Sequence, residues 1–180
     1  LLLPPLGVLI YFLPQLFRGS AIVSKDTTNL VYVLRRWHFH QWGQEGSRPL
    51  WNDGLFSGLY HGADLQLGLF SPQSFWYLLF DGYAAHQAWI LSTLMLGGLG
   101  MALYLQRLSK QPLLSSVLGL CYALCGVMLS NAHAVPFMAG ACVFPWILWS
   151  YEGLRAQGSL RNTLVLALFI AWGILEGDPI

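Results

Sequence analysis

A carboxylate and three cations occupy a short polar stretch just beyond an apolar run. Lys25, Asp26, Arg35 and Arg36 lie in "SKDTTNLVYVLRRWHFHQW", residues 24 to 42, and the apolar run before it ends at Phe17. An acid in such a place could take a proton from an attacking hydroxyl while nearby cations neutralise a departing phosphate. That pairing is what general-base catalysis with electrostatic stabilisation of the leaving group requires. Arg suits bidentate phosphate contact and Lys a point charge. A plainer role competes: Asp26 or Thr27 is placed to cap the helix that follows, and caps are common. Spacing favours the cap, and one residue can serve both roles.

Other candidates carry the same double reading. Asn52 and Asp53 could bind sugar hydroxyls with Trp51 stacked on a pyranose ring, but "NDG" is a turn signal and Trp an interface anchor, and the turn is the stronger reading. Glu176 and Asp178 close the last apolar segment. They either complete an acidic site, with a divalent cation as its conceivable cofactor, or stand as solvated residues past a helix that Gly177 and Pro179 terminate. His61 and Asp64 supply only two ligands, and the rings of His38 and His40 diverge on a helix, so neither pair defines a metal site. Cys121, Cys125 and Cys142 fall in apolar stretches and are expected to pack as small hydrophobes. "LGGLG", with Gly97, Gly98 and Gly100, follows no strand and reads as close helix packing, not as a nucleotide loop.

The elements that must position these residues follow from composition. Only 9% of the 180 residues are charged and 56% are hydrophobic, with a mean hydropathy of +0.54, so the chain reads as a membrane protein. A net charge of +1 without a long basic run argues against a nucleic-acid partner. Five apolar segments, about 1–17, 83–106, 113–130, 136–151 and 162–175, predict an all-α, polytopic transmembrane bundle in a single domain, 1–180, expected to be a piece of a longer protein. Pro4, Pro5 and Pro14 should kink or shorten the first. Arg107 and Lys110 mark one short connection and Arg155 and Arg161 another, which predicts that both face the cytoplasm. The long loop 18–82, the turn around His133 and the terminal "EGDPI" then lie outside. Within that loop the pattern predicts a helix over 28–42, with Leu30, Leu34, Trp37 and Gln41 on one face and Arg35 and Arg36 extending away toward lipid phosphates. A second short helix is expected from Pro72 to Phe80, capped by Ser71, and the stretch between them reads as an ordered loop in preference to a sheet.

The stretch "RPLWNDGLFSGLYHGADLQLGLFSPQSFWYLLF", with "GGLGMALYLQRL" and "LGLCYALCGVML" in the spans that follow, resembles the amino-terminal part of the YfhO-like family of bacterial membrane proteins. These are grouped with the GT-C glycosyltransferases. The resemblance implies a GT-C like bundle of many spans in the bacterial inner membrane, interfacial helices in the first outer loop, and sugar transfer from a polyprenyl-phosphate donor at an active site outside the cytoplasm. It also implies that Asp26 is the catalytic carboxylate, although Lys25 stands where the family more often has a small residue. Membrane lipid and the lipid-linked sugar are then the expected partners. Two other readings remain: a transporter or lipid flippase with Glu176 and Asp178 along its path, and a noncatalytic scaffold for polymer export.

Overall fold

The computed structural model describes residues 1–19, 31–45, 50–54, 57–60, 67–80, 82–131 and 135–176. It is mostly helical. Helix α1 is Leu3–Phe17, with Pro4 and Pro5 tolerated in the first turn, where amide donors lack acceptors in any case, and Pro14 close to the end it helps to set. Helix α2 is Tyr32–Glu45. A short 3-10 turn, Pro72–Phe75, runs into helix α3, Trp76–Leu79. Ser71 precedes that turn as expected, yet its side chain makes no capping bond and instead meets the Ser74 hydroxyl at 3.0 Å.

The remaining helices are α4 (Gly82–Ser109), α5 (Pro112–Ala123), α6 (Gly126–Ser130), α7 (Val135–Ala156) and α8 (Leu160–Leu175). Two stretches, Gly82–Ser109 and Pro112–Ser130, are long and apolar enough to cross a membrane. The second is broken where Cys125 turns extended between α5 and α6. Lys110 ends α4 with a left-handed backbone (φ 56), and Pro112 opens α5 with its φ already set for a helix. Helix α7 runs five residues past the expected apolar segment and takes in Glu152 and Arg155, paired at 3.0 Å.

Helix α4 is the centre, packed on α1, α5 and α7, with α8 laid against α7. The glycines explain how closely. A Cβ on Gly119 would fall 2.5 Å from the Gly98 carbonyl oxygen, and one on Gly98 would lie 2.9 Å from Ala123 Cβ. Gly97 approaches the Cys142 Cα in the same sense, and Gly100 the Trp146 indole, whose N–H donates to the Leu96 carbonyl at 3.0 Å. Small residues thus let backbones meet where there is little else to hold helices together. Tyr122 adds a hydrogen bond to the Ala141 carbonyl at 2.6 Å.

The two ends of the bundle differ. At one, Arg107 donates to the Trp149 carbonyl at 2.6 Å and lies over the Trp149 ring, 3.9 Å from its centroid, while Asn162 ties the start of α8 to Gly153 of α7 at 3.0 Å. Arg107, Lys110, Arg155 and Arg161 therefore share that end. At the other, α2 and α3 pack together and α3 rests on α4, joined by ring contacts such as Phe39 with Tyr77 and Trp42 with Phe75.

One expectation is corrected here. The loop after α2 holds a small antiparallel pair, β1 (Trp51–Asn52) with β2 (Leu59–Tyr60). The Asn52 side chain accepts the Gly54 amide at 3.0 Å, which closes the turn. Positive φ at Ser57 and Gly58 then brings the chain back to pair.

Candidate functional site

The α2 pattern had Arg35 extending away from the apolar face toward lipid phosphates, and the structure buries it instead. Arg35 is 0% exposed, whereas Arg36, one residue on, remains outside. The reason lies in partners brought from far along the chain. The Arg35 Nε donates to the Leu67 carbonyl, and the guanidinium lies over the Trp89 ring, 4.7 Å from its centroid. Both terminal nitrogens, Nη1 and Nη2, are buried without a hydrogen-bond partner among the described residues.

Glu176 faces it. This carboxylate sits at the C-cap of α8, accepts the Trp172 indole N–H on Oε1 at 2.6 Å, and is also 0% exposed. Its Oε2 has no hydrogen-bond partner among the described residues. Gly68, whose φ is +52, packs its backbone against both acid and base. A Cβ there would come 2.7 Å from Arg35 Nη2 and 3.8 Å from Glu176 Oε2, so a side chain is excluded on two grounds, backbone conformation and space. The two charges look at one another across this glycine without forming an ion pair.

The walls are polar. The Ser74 hydroxyl donates to the Gly68 carbonyl at 2.7 Å and Ser71 caps the same carbonyl with its amide at 3.1 Å, fixing the turn that carries Gly68. Gln73 is buried with both amide atoms unsatisfied among the described residues; like Ser71 it lies close enough to Glu176 to favour its ionised form. Tyr77 sits 2.9 Å from His86 Nδ1, and His86 stacks on Trp89. Burial pushes the Glu176 carboxyl up to about 7, against the opposing pull of the Trp172 indole and the Arg35 charge. Burial likewise pushes the Tyr77 phenol up to about 12, and it lowers Arg35, which stays a cation.

Lys25, Asp26, His61, Asp64, His133 and Asp178 lie outside the described residues. Arg36 lines a shallow recess of about 360 Å³ with Tyr32, Val33, Trp37 and His40. Trp51 is exposed and covers Gly58, Asn52 is buried in its turn, and Asp53 is exposed beside it; these three stand in the hairpin as turn and surface residues. Among the described residues no three His, Cys, Asp or Glu side chains gather as metal ligands.

Sequence reasoning missed Gln73, Tyr77, His86 and Trp89. A usable signal existed for one of them, since His86 is an ionisable residue inside an apolar span. A second recess of about 280 Å³ lies between the 3-10 turn, α3 and α4, lined by Trp76, Leu79, Leu96, Ser92 and Gln73. Comparison with family models, with curated proteins and with solved structures yields no match for this chain.

Proposed function

We propose that the chain belongs to a multi-pass membrane glycosyltransferase of the GT-C type, YfhO-like, which moves a sugar from a polyprenyl-phosphate carrier to an acceptor hydroxyl on the extracytoplasmic face of the bacterial inner membrane. One observation carries the reading: a fully buried guanidinium with both terminal nitrogens lacking a partner among the described residues, set opposite a carboxylate that it does not touch. The guanidinium is held by the Leu67 carbonyl, the Trp89 ring and the charge of Glu176, and its planar fork matches the oxygens of a phosphate. The largely apolar recess that Gln73 helps to line has the character needed for the first part of a lipid chain.

In this reaction the acceptor oxygen attacks the anomeric carbon, the bond from that carbon to the phosphate oxygen breaks, and the carrier phosphate leaves with both electrons. The hydroxyl proton passes to Asp26, the proposed base, and the configuration inverts. Arg35 stabilises the departing phosphate, with Lys25 and Arg36 as further cations at the interface. Transfer of labelled sugar by the full-length protein in liposomes tests this. Arg35→Gln and Asp26→Asn should each lower turnover at least a hundredfold in folded protein, and undiminished turnover in both would reject the reading.

The raised Glu176 carboxyl beside a non-contacting Arg35 also suits a proton-coupled carrier. Solute flux into the same liposomes without sugar transfer would select that alternative.

A further inference from the structure

At the basic end of the bundle one cation is seated and the others are not. From residue 82 to residue 175 the chain has four cations, Arg107, Lys110, Arg155 and Arg161, against one acid, Glu152. Arg155 engages that acid, with Nε and Nη2 each 3.0 Å from Glu152 Oε2. Arg107 is left without an ion-pair partner among the described residues. Its guanidinium nevertheless has a fixed place: Nη1 donates to the Trp149 carbonyl at 2.6 Å, and the group lies over the Trp149 ring, 3.9 Å from its centroid. Gly153 makes room for it, since a Cβ there would collide with Nη1. A glycine inside a helix weakens it, and here the bare backbone is what admits the guanidinium.

Arg107 lines a recess of about 540 Å³ between the ends of α4 and α7 and the start of α8, together with Leu108, Glu152, Gln157 and Asn162. Asn162 donates to the Gly153 and Gln157 carbonyls at 3.0 and 2.7 Å, which fixes the turn between α7 and α8. Among the described residues Arg107 hydrogen-bonds through Nη1 alone, so Nε and Nη2 remain for a ligand. A guanidinium held in place with donors still free suits the oxygens of a phosphate, and little freedom is lost when one binds.

The source of that phosphate follows from the height of the site. Arg107 stands in the last turn of α4, whose 28 residues give about 42 Å of helix against a hydrocarbon core of about 30 Å, so this turn belongs at the level of lipid headgroups. Leu108, in the wall of the recess, is 52% exposed. A soluble anion would use the charge and leave this apolar surface bare, whereas a phospholipid covers both. We propose that the recess binds the headgroup of an anionic phospholipid, with the phosphodiester on Arg107 and the acyl chains descending beside Leu108. Basic recesses between spanning helices recognise headgroups in this way. The inference rests on the membrane-spanning reading and not on sugar transfer.

The test is lipid binding by the full-length protein in detergent, read by native mass spectrometry, with phosphatidylglycerol, phosphatidylcholine and soluble glycerol 3-phosphate as probes. Wild-type protein should bind phosphatidylglycerol about tenfold more tightly than phosphatidylcholine. Arg107→Gln should remove most of that preference, while Lys110→Gln, outside the recess, should change it by no more than about twofold. Gly153→Ala is the sharper variant. It keeps every charge and favours the helix, yet displaces the guanidinium from its seat, so the preference should fall nearly as far as in Arg107→Gln with helicity by circular dichroism unchanged. The inference is overturned if wild-type protein binds the two lipids equally, a comparison that needs no variant. It is also overturned if Lys110→Gln costs as much as Arg107→Gln, which would mean diffuse surface charge, or if Gly153→Ala keeps the full preference. Glycerol 3-phosphate bound as tightly as phosphatidylglycerol would assign the recess to a soluble phosphate and overturn it as well. Protein that inserts into liposomes without a lipid preference sinks the inference alone, whereas protein that does not insert sinks the spanning reading with it.

Discussion

Glu176 carries a titration that can be read in stability. Its folded carboxyl is raised from an ordinary 4.5 to about 7, so between those values the folded chain holds a proton that the unfolded chain has released. The sign follows: this stabilisation is complete below about pH 4.5 and is lost as pH rises through 7, an effect of about 3 kcal/mol. Arg35 and Cys142 lie within its electrostatic surroundings, so the informative quantity is the difference from Glu176→Gln. Thermal unfolding in detergent from pH 4.5 to 7.5 should show the wild-type midpoint falling relative to the variant, and parallel curves would remove Glu176 from the account. Gly68 offers a second prediction. Gly68→Ala combines a left-handed backbone with a contact on Arg35 Nη2, and should lose about 1–2 kcal/mol together with most phosphate binding. Gly43→Ala, where a Cβ meets nothing within 4 Å, should be neutral or stabilising in the same unfolding assay. The chemistry of Arg35 and Glu176 was legible in the sequence from residue type and proximity to apolar segments. Their meeting was not, because helical periodicity assigns a charged residue to the solvent side. The partners that reverse this assignment, Leu67, Trp89 and Glu176, come from three distant elements.

The helices were the most legible part: 83–106 is contained in α4, 136–151 in α7 and 162–175 in α8, while 113–130 became two helices, α5 and α6, broken at Leu124 and Cys125. What a hydropathy pattern lacks is any account of depth of contact. The "LGGLG" glycines pointed to close packing, and the structure supplies the partner as Gly119, invisible beforehand because nothing in a sequence pairs one small residue with another. Gly119→Ala should therefore destabilise the bundle by about 1–3 kcal/mol, because the obstacle at 2.5 Å is backbone that no rotamer change relieves. Gly126→Ala, with open space around it, should change little, and unfolding midpoints in one detergent compare the two directly. The hairpin β1–β2 escaped notice for a different reason. Two-residue strands carry too little alternation to register, and here an Asn side chain and two positive-φ residues create the pairing.

At the scale of the molecule, helix length and charge placement combine into one prediction. Helix α4 has 28 residues and α8 has 16, about 42 Å and about 24 Å of helix at 1.5 Å per residue. The hydrocarbon core is about 30 Å thick, so α4 is long enough to reach headgroups on both sides and α8 is not. If α8 starts from the basic end, where Arg161 belongs with Arg107, Lys110 and Arg155, its last turn stops short of the opposite surface. Glu176 then lies at that end, enclosed by protein. Basic short connections are retained in the cytoplasm, and the Arg35 cluster would face the other side. Single cysteines introduced as Gly158→Cys at the basic end and Trp51→Cys at the hairpin, with Cys121, Cys125 and Cys142 replaced by Ala, decide the matter. A membrane-impermeant maleimide should label Trp51→Cys in spheroplasts and reach Gly158→Cys only after lysis. The reverse pattern would put the guanidinium and carboxylate on the cytoplasmic side, where an extracytoplasmic lipid-linked donor has no access to them.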